Sequence, residues 1–250
     1  MSDIVTTPLN IDNLLGKVRN RVALVGVELE GAWRRFPEGE RWDLDMSVFE
    51  NPSPEVVAAI ERLKITKTGE LVSEPMLPGQ VGVWMKRCYP TYVNETCGLH
   101  VHMSFHKLKH YAYLMKPEYP ATIREYLARW AIKMQFPPVH HIWNRLSGKN
   151  KFCHDAFWPD LQAGCRKDHD HDRKGNRYTD INFAFTSHKT IECRLLPMMS
   201  NHEMATNAVH EVLKITSACL VKLGEREKKH NGFLEDLEVE DSIETDVVEL

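Results

Sequence analysis

Three pairs of ionisable residues sit two positions apart in otherwise apolar segments: Glu28 and Glu30 in VALVGVELEGAW, His100 and His102 in CGLHVHMSF, and Glu192 and Arg194 in KTIECRLLP. Glu70 and Glu74 in GELVSEPM, and Tyr178, Asp180 and Asn182 in RYTDINFAF, repeat the arrangement. On an extended strand, even spacing puts such residues on one face. Adjacent carboxylates or adjacent imidazoles repel unless a cation neutralises them, so a sheet that gathers these pairs suits metal ions. The set is rich in oxygen, holds one or two imidazoles and has no thiolate cluster. That composition fits Mg²⁺ or Mn²⁺ holding a nucleotide triphosphate better than structural Zn²⁺. Arg194, on the face of Glu192, is then placed to meet charge that develops on a transferring phosphoryl group. The competing explanation is that each polar face is the solvated side of a half-buried sheet. A solvated face is normally filled with Lys, Thr, Ser and mixed charges, whereas VALVGVELEGAW presents two adjacent carboxylates and CGLHVHMSF two imidazoles.

The elements that must position these residues can be read from periodicity. In VALVGVELEGAW, alternation places Val25, Val27 and Leu29 on one face and Gly26, Glu28 and Glu30 on the other. Ser53 is a good N-cap and Pro54 a good first residue for the helix PEVVAAIERLK. GELVSEPM reads as a strand stopping at Pro75 and Pro78, and a short helical stretch near VGVWMKRC leads to the strand CGLHVHMSF. Pro120 opens the helix ATIREYLARWAIKMQF, ended by Pro137 and Pro138. RYTDINFAF and KTIECRLLP read as two strands that a turn around Ser187 and His188 joins as a hairpin. Asn201 caps a long helix whose expected stop is Gly224. Long strands interrupted by helices give an α+β fold: a curved antiparallel sheet with helices on one face and the site on the other.

The 250 residues, 42% of them hydrophobic, suffice for one substantial core, so residues 1–233 are expected to form a single domain. Residues 234–250 carry eight acids and no Lys or Arg; taking those eight from the formal charge of −3 leaves a body at +5. The expected state of this acidic tail is disorder or partner docking. A body so mildly basic suits nucleotide phosphates but is no nucleic-acid signature. No basic region followed by an apolar run opens the chain, and no apolar stretch approaches bilayer length. Six scattered cysteines without a CxxC pair suit a reducing compartment. A soluble, cytoplasmic protein with no membrane partner is the expectation.

GVELE, NETCGLHVHMSF and TIECR, in this order, resemble the three signature strands of the glutamine synthetase and glutamate-cysteine ligase superfamily, and with ELVSEP and NRYTDINF the resemblance covers roughly residues 22–200 as spaced blocks. More narrowly, the chain is similar to its amidoligase family, whose members are common in bacteriophage and bacterial genomes. The resemblance implies a glutamine-synthetase-like catalytic domain. It implies that Glu30 binds a metal organising the acceptor carboxylate, with Glu70 and Glu74 completing that shell. Glu28, His100 and Glu192 would bind a second metal at the ATP phosphates, with His102 and Asn182 on the nucleotide side. Glu192 and Arg194 would serve catalysis, Arg194 by stabilising phosphoryl transfer. Arg145, Arg166 and Arg177 are candidates for clamps on phosphate or substrate carboxylate, against surface solubility as the alternative. The implied reaction is ATP-dependent and needs Mg²⁺ or Mn²⁺. A small-molecule or peptide carboxylate attacks the γ-phosphorus to give an acyl phosphate, and an amine displaces phosphate to leave an amide. A nucleic acid enters only as a modified-base substrate.

Two other functions use the same residues: a metal-dependent hydrolase or phosphodiesterase, and a non-catalytic nucleotide-binding descendant. Other signals are weaker. The run His169 to Asp172, within the His- and charge-rich stretch 164–175, reads as a solvated loop or a lid. Cys153 next to His154 reads as structural, because nucleophile and base need spatial adjacency. Trp130, Trp143 and Trp158 read as core or pocket wall. SGKNK lacks the leading glycine and the closing Ser or Thr of a P-loop.

Overall fold

The computed structural model describes residues 7–44, 49, 51–151, 153, 178–183 and 189–230. In chain order the elements are β1 (Val25–Trp33), β2 (Arg41–Asp43), α1 (Pro54–Arg62), β3 (Lys67–Val72), α2 (Val81–Cys88), β4 (Gly98–Met103), α3 (Leu108–Leu114), α4 (Glu118–Lys133), α5 (Ile142–Leu146), β5 (Ile181–Asn182), β6 (Ile191–Pro197) and α6 (His202–His230). The six strands form one antiparallel sheet in the order β2-β3-β1-β4-β6-β5, so the fold is α+β.

Alternation sets which side of this sheet is apolar. Val25, Val27 and Leu29 of β1, Leu99, Val101 and Met103 of β4, and Ile191 and Cys193 of β6 are all wholly buried. Full burial of an aliphatic side chain contributes about 1.5–3 kcal/mol, so this row supplies much of the stabilisation. The long α6 packs against β4 and against α2, α3 and α4. The Tyr119 and Thr216 hydroxyls hydrogen-bond at 2.9 Å between α4 and α6, which satisfies two polar groups inside that contact.

Local signals that depend on nearest neighbours are met. Ser53 Oγ accepts the amide of Val56 with Pro54 at the first position of α1, and Asn201 Oδ1 accepts the amide of Met204 at the start of α6. Gly224 does not stop α6, which runs on to His230. A Cβ at Gly224 would lie 3.6 Å from Tyr113 of α3, so the residue sits in a packed stretch where tertiary contact outweighs the roughly 1 kcal/mol helical penalty of glycine.

Two strands are shorter than their sequence pattern. β3 ends at Val72, where Ser73 Oγ accepts the amide of Val27 and so replaces a ladder carbonyl. The chain rejoins β1 only at the Val25–Met76 bridge, and Pro75 between them has no amide to donate. β5 is reduced to Ile181 and Asn182 because Asp180 Oδ1 takes the Ile181 amide. Its pairing with β6 is the antiparallel one expected for a hairpin, whereas the turn at Ser187 and His188 lies outside the described residues. So do residues 231–250, and with them the acidic segment. No helix among the described residues is long and apolar enough to cross a membrane. Cys88, Cys97, Cys153, Cys193 and Cys219 are buried free thiols.

Candidate metal centre

Strand register decides what meets on the second face. Glu28 lies opposite His100 across the β1–β4 pair, Glu30 opposite Glu70 across β1–β3, and His102 opposite Glu192 across β4–β6. Asn182 of β5 lies opposite Glu192. Between Leu99 and Val101 the β4–β6 register shifts, so Arg194 and Leu195 together face His100. This β-bulge bends the sheet where the ionisable residues concentrate. The face is not solvated: Glu30 is 3% exposed, Glu70 8%, His100 1%, Glu192 4% and Arg194 5%. Burial of so many charged groups excludes the solvated-face explanation, because each must be neutralised or paired inside the protein.

The donors form two adjoining triads. Glu28, Glu70 and His100 bring ligand atoms within 4.8 Å of one another, and so do Glu28, His102 and Glu192. Glu28 belongs to both. Its Oε2 is 3.0 Å from His100 Nδ1, and its Oε1 is 2.9 Å from His102 Nε2. His100 Nδ1 is also 3.9 Å from Glu70 and 3.6 Å from Glu192. His102 is oriented from behind by Thr190, whose Oγ1 lies 3.1 Å from Nδ1. Glu192 is held from two sides, by Arg194 Nη1 at 2.5 Å on Oε1 and by Asn182 Nδ2 at 2.9 Å on Oε2.

Protonation reflects this crowding. Burial and then the neighbouring Glu28 charge push Glu70 well above the ordinary carboxylate range. Burial also works to raise Glu28, but the His102 charge and hydrogen bonds from His100, His102 and Glu70 outweigh it and hold Glu28 well below that range. For His102 burial opposes the charged form, yet Glu28 wins and lifts it to about 9. Glu192 is lowered because Arg194 and His102 together overcome its burial. The concentration of carboxylates thus favours the protonated forms of Glu70 and His102.

The residues fit a hard divalent ion. Four carboxylates converge, and His100 Nε2, fully buried and 3.5 Å from Glu30 Oε1, makes no hydrogen bond among the described residues. The triads gather about the other ring nitrogen: His100 Nδ1 lies 3.0 Å from Glu28, 3.9 Å from Glu70 and 3.6 Å from Glu192, an oxygen-rich set around one imidazole nitrogen.

Several sequence-predicted assignments shift. His102, expected on the nucleotide side, joins Glu28 and Glu192 in a ligand triad, while His100 groups with Glu28 and Glu70. Glu30 is in neither triad; its Oε2 accepts the Gly98 amide at 2.5 Å. Glu74 lies past the end of β3, is exposed and is in neither triad. Asp180, expected beside Asn182, forms an ion pair with Arg124 of α4 instead, while its carbonyl accepts the Arg194 amide at 2.9 Å. Arg145 is wholly buried; Nη1 donates to the Arg194 carbonyl at 2.9 Å, and Nε and Nη2 find no hydrogen-bond partner among the described residues. Burial lowers its pKa, against the opposing pull of Glu30. Arg166, Arg177, His169 to Asp172 and Trp158 lie outside the described residues.

Two contributors escaped the sequence reading. Gly98 lets the site close: a Cβ there would lie 2.6 Å from His100 Nε2, 2.9 Å from Arg145 Nη2 and 3.1 Å from Glu30 Oε2. Thr190 orients His102. Both were findable, because each lies two residues before a named site residue and so shares its face. Comparison with protein-family models, with curated proteins and with solved structures finds no match.

Proposed function

We propose that this chain is an ATP-dependent carboxylate-amine ligase on a glutamine-synthetase-like fold, working with Mg²⁺ or Mn²⁺. The observation that carries the reading is the pair of carboxylate–imidazole triads sharing Glu28, with the Arg194 guanidinium bound to Glu192 at their edge. Glu28, Glu70, His100, His102 and Glu192 would hold the metal, which when bound supplies charge neutralisation at the triphosphate. Arg194, kept cationic by Glu192, Glu30 and Glu28 despite its burial, would offer a fixed positive charge to a transferring phosphoryl group. Asn182 and Thr190 position Glu192 and His102, so the donors need little reorganisation at the moment of reaction. Arg145, beside Glu30 and with its Nε and Nη2 groups unbonded among the described residues, fits a carboxylate or phosphate oxygen. This cationic pair also favours phosphoryl transfer over simple ester hydrolysis, which needs a metal-bound water but no anion clamp.

The test is mass spectrometry of the products formed with Mg²⁺, ATP and a broad pool of metabolites, beside a Glu192→Ala control. The expected result is a condensation product that requires both ATP and Glu192. ATP-independent ester cleavage by the same residues would establish the hydrolase instead.

A further inference from the structure

A second surface of the molecule collects positive charge away from the metal centre. His110 of α3 is half-buried, and the charged groups that most strongly depress its protonation, after burial itself, are all cationic: Arg21, Lys107, Lys109 and His106. Arg21, His106, Lys107 and Lys109 are exposed, and Arg21, Lys107 and Lys109 form no ion pair among the described residues. Two apolar side chains stand among these cations: Leu24 is 40% exposed and Leu108 59%. The backbone draws them together, since Leu24 O accepts the Ser104 amide at 3.0 Å just before His106. Basic residues around exposed leucines fit a partner that is both acidic and apolar.

We propose that this patch is the docking site, within the same chain, for the acidic segment 234–250. Composition matches: eight acids alternate there with Leu234, Leu237, Val239, Ile243, Val247, Val248 and Leu250, without a single Lys or Arg. Geometry also matches. α6 delivers the chain to the right place, because Tyr113 of α3 lies beside Gly224 and close enough to Glu227 for that carboxylate to raise its pKa, only a few residues before α6 ends at His230. Farther back on α6, Ser217 Oγ accepts the Arg21 amide at 3.0 Å. From Ser217 to His230 the helix rises about 20 Å at 1.5 Å per residue. Six or seven extended residues at about 3.3 Å each recover that distance, which brings the first acids, Glu235 to Glu238, level with Arg21. The competing basic surface, a cavity lined by Arg34, Arg35, Lys64 and Thr66, lies past the far end of β1 and offers no exposed leucine.

Carbodiimide coupling of the full chain, read by mass spectrometry, tests the contact. Isotopically light and heavy protein are mixed so that links within one chain are told from links between chains. The expected result is intrachain links from Lys107 or Lys109 to carboxylates within 235–249 at low salt. At high salt these should fall roughly tenfold, since the screening length drops from about 30 Å at 0.01 M to about 3 Å at 1 M. Arg21→Glu, an exposed change that leaves both lysines in place, should lower the same links several-fold at low salt. Links from the segment to Lys64 instead, links only between chains, no links, or links indifferent to salt and to Arg21→Glu would each overturn the proposal.

Discussion

Glu28 and His100 face each other across the β1–β4 pair, and their 3.0 Å contact joins two potential ligand triads into one centre. Glu28 turns one oxygen toward each imidazole and so belongs to both triads.

Glu28→Gln is therefore expected to weaken Mn²⁺ binding by on the order of a hundredfold or more, since even loss of an outer partner of a ligand costs about 10–100-fold. Titration followed by electron paramagnetic resonance reads this directly. Glu74→Gln, at an exposed position past the end of β3, should bind Mn²⁺ like the parent protein. Equal loss in both variants would show that the ligand set is wrongly drawn.

Metal binding should release protons and strengthen with pH. The folded protein holds His102 at about 9, and Glu70 lies well above the carboxylate range, so a cation must displace what they carry. Calorimetry in buffers of different ionisation enthalpy should show proton release at neutral pH and rising affinity up to about pH 9. The metal-free protein should respond in the opposite sense. A histidine whose pKa is raised on folding contributes fully below its unfolded value of about 6.5, and that contribution fades as pH climbs through about 9. Its melting temperature should accordingly fall over this interval, with Mg²⁺ reducing the fall.

Gly98→Ala should disturb stability and site together. The new methyl would stand 2.6 Å from His100 Nε2 and 2.9 Å from Arg145 Nη2, both on wholly or almost wholly buried side chains. Overpacking of this kind costs about 1–3 kcal/mol, visible as a lower denaturant midpoint, and Mn²⁺ affinity should drop with it. An unchanged affinity would mean that His100 and Arg145 have room to move.

Gly224→Ala is expected to stabilise. The residue lies inside α6, and its added methyl would meet Tyr113 at an ordinary 3.6 Å. Replacing a helix-interior glycine contributes about 0.5–1 kcal/mol, measurable by urea denaturation. A loss of stability would place a helix break at Gly224 in solution.

Much of the site was legible before any tertiary structure, and what was legible shares one property. Glu28, Glu30, His100, His102, Glu192 and Arg194 are fixed to a face by the two-residue alternation of their own strands, and alternation is a local rule. Ser53 and Asn201 were legible as caps for the same reason, because a cap bonds a backbone amide only three residues away. Glu74 and Asp180 fall outside the triads, since each lies where the strand gives way: one beyond the Ser73 substitution in the ladder, the other drawn to Arg124.

Sequence alone therefore determined the α+β alternation, the apolar face and the gathering of carboxylates and imidazoles on the other face. It did not determine which of them meet. Register between strands far apart in the chain, the bulge opposite His100, and the approach of Arg145 past Gly98 decided that Glu28 is shared, that His102 pairs with Glu192, and that Glu30 turns to a backbone amide. The physical reason is that a one-residue change of register moves every side chain of a strand to the opposite face. Register is set by long-range packing of the whole sheet on its helices, which no local pattern encodes.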